Sequence, residues 1–175
     1  LASDEARFIT GVVLAVDGFI GRDDVVIKPL DGVKPKGIAG ATLSGDGSVV
    51  RILADGVTLR GLRLSGSGES HDDVDSGVQV VGHRNVIEDN VIEDCLFGLD
   101  LAQSNDNVVQ RNTIGSKPLP LGVKGDGIRL WYSRNNQILE NHITDVRDVV
   151  VWYAGDNLIA RNVVSGGRYG LHFMY

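Results

Sequence analysis

Cysteine is nearly absent: Cys95 is the only one in 175 residues, so no intramolecular disulfide can form. Proline is scarce too, at four residues, while glycine reaches 23. No apolar run approaches the roughly 20 residues that a membrane-crossing helix needs. Positive charge is short as well. Lys and Arg total 17 against 23 Asp and Glu, a net charge of −6, so the counterion-release drive of nucleic-acid binding is missing. Neither a signal peptide nor an initiating Met is visible at the start, and the residues themselves leave the compartment open. Length alone suggests a single domain over 1–175.

What the chain does have is a repeat. One eight-residue pattern recurs four times, as Asn85-Val-Ile-Glu-Asp-Asn90-Val-Ile92, then Asn107 to Ile114, Asn136 to Ile143 and Asn157 to Val164. Successive copies are 22, 29 and 21 residues apart. So short a period of alternating apolar residues predicts a β-solenoid. Each asparagine unit follows another short apolar strand: Val78–Val81, Leu99–Ala102, Ile128–Trp131 and Val149–Trp152, with Leu171–Met174 opening one more. A coil is therefore a first strand, a turn, the asparagine unit with two more strands, and a turn back. The expected fold is all-β, a right-handed single-stranded parallel β-helix with coils stacked about 4.8 Å apart.

The earlier residues fit this register with apolar residues in place of Asn. Leu59, Leu62 and Leu64 precede Ile87, Asn90 and Ile92 by 28 residues, and Ile38, Ala41 and Leu43 lie a further 21 back. Val12–Leu14 and Val25–Ile27 read as less regular opening coils within residues 1–30, giving about eight coils in all. Asn suits sharp corners because it tolerates the left-handed region, and stacked amides can bond up a ladder. Gly98, Gly127 and Gly170 are expected to ease the other corner.

Two coils are long. The extra residues, 65–76 and 115–126, both fall between a third strand and the next first strand. They should emerge from one corner, the kind of place where solenoids build binding faces. Beside it, the outward positions of the first strands form two ladders. One runs Arg51, Gln79, Asp100, Arg129, Val150, His172; the other runs Leu53, Val81, Ala102, Trp131, Trp152, Met174. Tyr132, Tyr153 and Tyr175 follow directly. Such an aromatic strip with Asp and Arg beside it suits sugar rings. It also reads as an apolar patch for a protein or for further coils, or as a surface covered by the 115–126 loop.

Other residues carry weaker chemistry. Asp126, Arg129 and His172 could supply the base, neutraliser and acid of a polysaccharide lyase or epimerase, although no Asp-Pro-His-Asp segment is present. Asp126, Arg129, Arg147, Asp148 and Arg168 cluster at the insertion corner, where carboxylate–guanidinium ladders are the simpler reading. His71, Asp72, Asp73 and Asp75 could hold a hard cation or an acid–base pair, or simply be solvated. His172 and Met174 alternate on one strand, and imidazole with thioether is an acceptable copper pair. Cys95 reads as a buried, inert thiol.

The stretch Gly125-Asp-Gly-Ile-Arg-Leu130, the asparagine units from Asn136 and Asn157, Arg147-Asp148 and the segment Arg168-Tyr-Gly-Leu-His-Phe-Met-Tyr175 resemble the NosD family. Val57-Thr-Leu-Arg-Gly-Leu-Arg-Leu64 with the following Ser-Gly-Ser-Gly, and Asp75-Ser-Gly-Val78, are similar to it as well. The asparagine repeats are shared more widely, with carbohydrate-binding and sugar-hydrolase β-helices. The NosD resemblance implies a periplasmic or extracellular, non-catalytic accessory protein. It would work with ABC transporter subunits in the copper-site maturation of nitrous oxide reductase, with His172 and Met174 as the positions to test. The alternatives are a polysaccharide-binding or polysaccharide-modifying β-helix and a purely structural solenoid. Because Leu171–Met174 has no asparagine unit after it, the chain is also expected to be part of a longer solenoid or to be covered there by another chain.

Overall fold

The computed structural model describes residues 26–29, 41–43 and 47–175. Its strands fall into three sheets that form the three sides of a coil. The first side holds β2 (Ala41–Leu43), β3 (Val50–Ile52), β6 (Ser76–Val80), β9 (Phe97–Ala102), β12 (Ile128–Trp131), β15 (Val149–Trp152) and β18 (Leu171–Met174). The second holds β4 (Thr58–Arg60), β7 (Val86–Glu88), β10 (Val108–Gln110), β13 (Gln137–Leu139) and β16 (Leu158–Ala160). The third holds β1 (Val26–Pro29), β5 (Leu62–Ser65), β8 (Val91–Cys95), β11 (Thr113–Ser116), β14 (His142–Thr144) and β17 (Val163–Ser165). From β3 onward every pairing is parallel, so the described residues make five complete coils and the first strand of a sixth.

The N-terminal strands depart from the expected stack. β2 pairs antiparallel with β3, Thr42 opposite Arg51, and β1 pairs antiparallel with β5, Ile27 opposite Leu64. Ala41 and Leu43 therefore do not sit beneath Leu62 and Leu64. The reversed strands occupy the exposed edge of the first coil, where a parallel coil would otherwise leave N–H and C=O groups open. Ile38, Val12–Leu14 and Val25 lie outside the described residues, so the eight-coil count reduces here to five and a part.

Inside the coil, alternate residues stack in aliphatic columns. Leu59, Ile87, Val109 and Ile138 form one, and Leu64, Ile92, Ile114 and Ile143 another, all fully buried. In β18, Leu171 and Phe173 hold the core-side positions and are exposed. No helix among the described residues is long and apolar enough to cross a membrane.

The asparagines form the expected ladder but do not make the corner themselves. The left-handed residue at each corner is the one before the asparagine: Arg84, Asp89, Asp106, Arg111, Asn135, Glu140, Asp156 and Arg161, with φ between 54° and 60°. In the first coil Gly56 and Gly61 take those places. The asparagine itself is a ladder rung. Asn112 Oδ1 accepts from Asn90 N at 3.1 Å and Nδ2 at 3.0 Å. Its own N and Nδ2 donate to Asn141 Oδ1, each at 3.0 Å, and Nδ2 also reaches Ile87 O at 2.9 Å. Two such columns run through the four repeats, one from Asn85 to Asn157 and one from Asn90 to Asn162. A buried amide with all its groups engaged is stabilising, whereas one left open costs about 1–3 kcal/mol.

Gly98 and Gly127 serve the third corner by size, not by left-handed backbone. A Cβ on Gly98 would stand 2.4 Å from Ile114 Cγ2 and from Gly127 O, and one on Gly127 would stand 2.7 Å from Ile143 Cγ2. Gly170, in the same column, does take positive φ, at 73°.

Candidate functional site

The first-strand sheet and the corner that feeds it carry nearly all the irregular residues. Strand register aligns Arg51, Gln79, Asp100, Arg129, Val150 and His172 across six strands. It also aligns Ala102, Trp131, Trp152 and Met174. The two insertions leave the solenoid at one corner and touch. His71 Nε2 lies 3.0 Å from Val123 O, and the imidazole stands edge-on to Phe97 of the coil between them, centroids 5.5 Å apart.

The acidic loop is occupied with its own shape. Asp75 is buried and accepts Ser70 N at 2.8 Å, and Asp73 accepts Ser70 Oγ at 2.7 Å. His71 is held by Val123, which leaves Asp72 exposed and without a bonded partner among the described residues. These four residues are not brought together as a ligand set. Among the described residues no group of three or more His, Cys, Asp or Glu is placed to hold a metal ion. Cys95 is buried, and its burial pushes the thiol up to about 12, so it stays a neutral thiol.

Three buried carboxylates line the base of the first-strand face. Asp100 keeps its expected place on the outward ladder, but it is buried there under Arg129, whose Nη1 donates to its Oδ1 at 2.8 Å. Val150 of the same ladder is buried too. Asp126, the last residue of the 115–126 insertion, is gripped by Arg147 through Nε at 3.0 Å and Nη2 at 3.2 Å. Asp148 accepts Arg168 Nη2 at 2.6 Å and Tyr169 N at 2.9 Å, with His172 Nδ1 at 3.5 Å. Burial raises Asp100 and Asp126 above the ordinary carboxylate value, against the downward pull of Arg129 and Arg147.

Asp148 stands in the column where the neighbouring coils have glycine, since Ile128 pairs with Val149 and Val149 with Leu171, aligning Gly127, Asp148 and Gly170. A fold built for packing alone would keep glycine there. This substitution is legible in the sequence once the register is known, but it has no motif of its own.

The aromatic strip is continuous. Trp131 and Trp152 meet edge to face with centroids 4.5 Å apart, and Tyr132 and Tyr153 stack at 4.9 Å and 21°. Arg129 lies over the Trp131 ring at 4.7 Å. The 115–126 loop does not cover this strip: it meets His71 and sends Lys124 Nζ to Asp145 O at 2.6 Å, while Tyr132 and Tyr153 stay 49% and 46% exposed. Both tyrosines also adopt the left-handed backbone, at φ 49° and 47°, in the position that Gln103 fills one coil earlier. Nothing in the residue pattern announced that strain.

A sequence model described as the right handed beta helix region matches residues 48–175. No curated protein and no solved structure matches the chain.

Proposed function

The chain belongs to the right-handed β-helix family, and from that premise we propose that it binds a sugar polymer across the outer face of its first-strand sheet. The observation that carries this reading is the placement of Tyr132 and Tyr153. Gln103 turns the same corner one coil earlier with the same left-handed backbone, so the corner does not require an aromatic, yet Tyr132 and Tyr153 stand there in register, with Tyr175 following Met174 in the next coil. The two phenol rings are stacked and half-exposed, beside two indoles on the same pair of coils. Flat aromatic faces bordered by hydrogen-bond donors suit the apolar faces and hydroxyls of sugar rings.

The reading is of binding, not turnover. Asp100, Asp126 and Asp148 are each buried and engaged by a guanidinium, so none stands ready to take a substrate proton. Isothermal titration with pectin-like and alginate-like polymers tests the proposal. Trp152→Ala is expected to weaken binding about tenfold or more, the loss of one stacking platform. If no polymer binds, or if both Trp152→Ala and Tyr153→Ala bind as well as the parent, the reading is wrong.

A second reading follows from the resemblance to NosD: a periplasmic accessory protein in copper-site maturation, working with an ABC transporter and the reductase. It is favoured by His172 and Met174, which share one face of β18 two residues apart. Copper would be cargo there. Imidazole and thioether are suitable donors for Cu(I), but Arg168 Nη2 lies 3.5 Å from His172 Nδ1, and a guanidinium works against a cation. Cu(I) titration of the parent and of His172→Ala and Met174→Ala tests it; equal binding by all three removes these residues from the role.

A further inference from the structure

Three guanidinium groups stand along the first-strand face, and each is only partly engaged. Arg129 uses Nη1 on Asp100, Arg147 uses Nε and Nη2 on Asp126, and Arg168 uses Nη2 on Asp148. Each pair has a buried end and an open end. The carboxylates are 1%, 3% and 0% exposed, whereas the arginine side chains are 14%, 30% and 44% exposed. The pairs are neutral as pairs, yet a ligand arriving from solvent meets their N–H groups and not their oxygens. Nε and Nη1 of Arg168 and Nη1 of Arg147 have no hydrogen-bond partner among the described residues, although the Arg168 guanidinium lies over the Tyr169 ring at 4.5 Å.

The charges nearby set the polarity of the face. Glu69, Asp72 and Asp73 lie on the 65–76 insertion, toward the first coils, and would repel an anion there. Asp145 is exposed near the arginines, with the Lys124 ammonium on its carbonyl oxygen. Arg147, Arg168 and His172 therefore make the donor-rich end. Val149, at that end of β15, and Trp152, in the aromatic strip, are three residues apart, a span of about 10 Å.

From this juxtaposition we propose that the polymer is acidic, with a carboxylate or sulfate group of a sugar unit seated on Arg147 and Arg168 while a ring of the chain lies on Trp152 and Tyr153. The inference rests on the sugar-binding reading. A planar guanidinium with an outward edge suits an oxyanion better than a hydroxyl, through charge-assisted and bidentate hydrogen bonds.

Matched polymers test it: polygalacturonate against its carboxyl-reduced counterpart, and dextran sulfate against dextran, each by isothermal titration. The parent should bind at least one acidic polymer about tenfold or more tighter than its neutral match, the scale of one hydrogen bond to a charged group. The carboxylate and sulfate arms tell the two anions apart. Replacing Asp148→Asn together with Arg168→Gln removes the guanidinium without stranding a buried charge, and should cut that preference to about twofold while binding to the neutral polymer is kept. If this double variant does not fold, Asp126→Asn with Arg147→Gln makes the same test. Equal binding of acidic and neutral polymers overturns the inference and leaves the sugar reading standing. A preference that survives both double variants also overturns it. Binding of no polymer at all removes both.

Discussion

Two polar ladders climb the same solenoid, and they follow opposite rules. The asparagine columns repeat one neutral side chain through four successive coils, and Asn112 shows how completely its donors and acceptor are used. The first-strand face changes residue at every step, from Gln79 to Asp100 to Arg129 to Val150 to His172. Its charges are paired on the buried side and open on the other. Apart from Asn85 Nδ2, which is buried without a hydrogen-bond partner among the described residues, the amides of the ladder that holds the coils together are engaged, whereas the charged ladder keeps its open hydrogen-bonding capacity on the solvent side, where it can meet a ligand.

The largest effect should come from damaging the saturated ladder. Asn112→Asp removes two donated hydrogen bonds and puts a carboxylate in a buried site without a cation, and is expected to lower stability by about 3 kcal/mol or more in urea unfolding. A loss below about 1 kcal/mol would erase the contrast between the ladders. On the open ladder, Arg168→Gln alone should cost about 2 kcal/mol, because Asp148 keeps only the Tyr169 amide and His172. Adding Asp148→Asn should restore most of that loss, whereas no second change at Asn141 should rescue Asn112→Asp.

Acid separates the two regions by sign. Asp100 and Asp126 are raised by burial, so the folded chain takes up their protons before the unfolded chain does. Their favourable contribution is complete below the ordinary value of 3.8 and is lost as pH rises from there through the raised folded values. Asp89, on the outside of the asparagine corner, is lowered by its hydrogen bond from Arg111; its contribution is present above 3.8 and is lost as pH falls through the lower folded value. Urea midpoints measured across pH should show a flatter fall above 3.8 in Asp126→Asn and a flatter acid-side loss in Asp89→Asn. The same slopes in both variants would mean that the two regions do not differ in this way.

The smallest change in stability belongs to the strip. Tyr153→Asn relieves a left-handed tyrosine but loses a stacked pair worth about 0.5–1.5 kcal/mol. The two effects nearly offset, so the melting temperature should barely move while polymer affinity falls. A clear destabilisation without any loss of affinity would return Tyr153 to a structural role.

Much of this was legible in the residues. The asparagine spacing placed every later first strand in register, and with it the alignment of Trp131 with Trp152 and of Asp100 with Arg129. The common corner of 65–76 and 115–126 followed from strand order alone. The reversal of Ala41–Leu43 was not legible, because a three-residue apolar strand reads the same in either direction. Nor was the burial of Asp100, which depends on where the long Arg129 side chain lies. The corner rule was read one residue late: Asn is a familiar left-handed residue, yet here Arg84, Asp89 or Glu140 bends the chain and the amide that follows bonds between coils.

The joint where 65–76 and 115–126 leave the solenoid has one more consequence. The coil after each insertion returns to the same stacking, with Val50 beside Val78 and Leu99 beside Ile128, as though no residues had been added. Length at that joint is uncoupled from the architecture. It is where foreign segments could be grafted with the least disturbance, and where natural variation could retune what the neighbouring face recognises without rebuilding the coil.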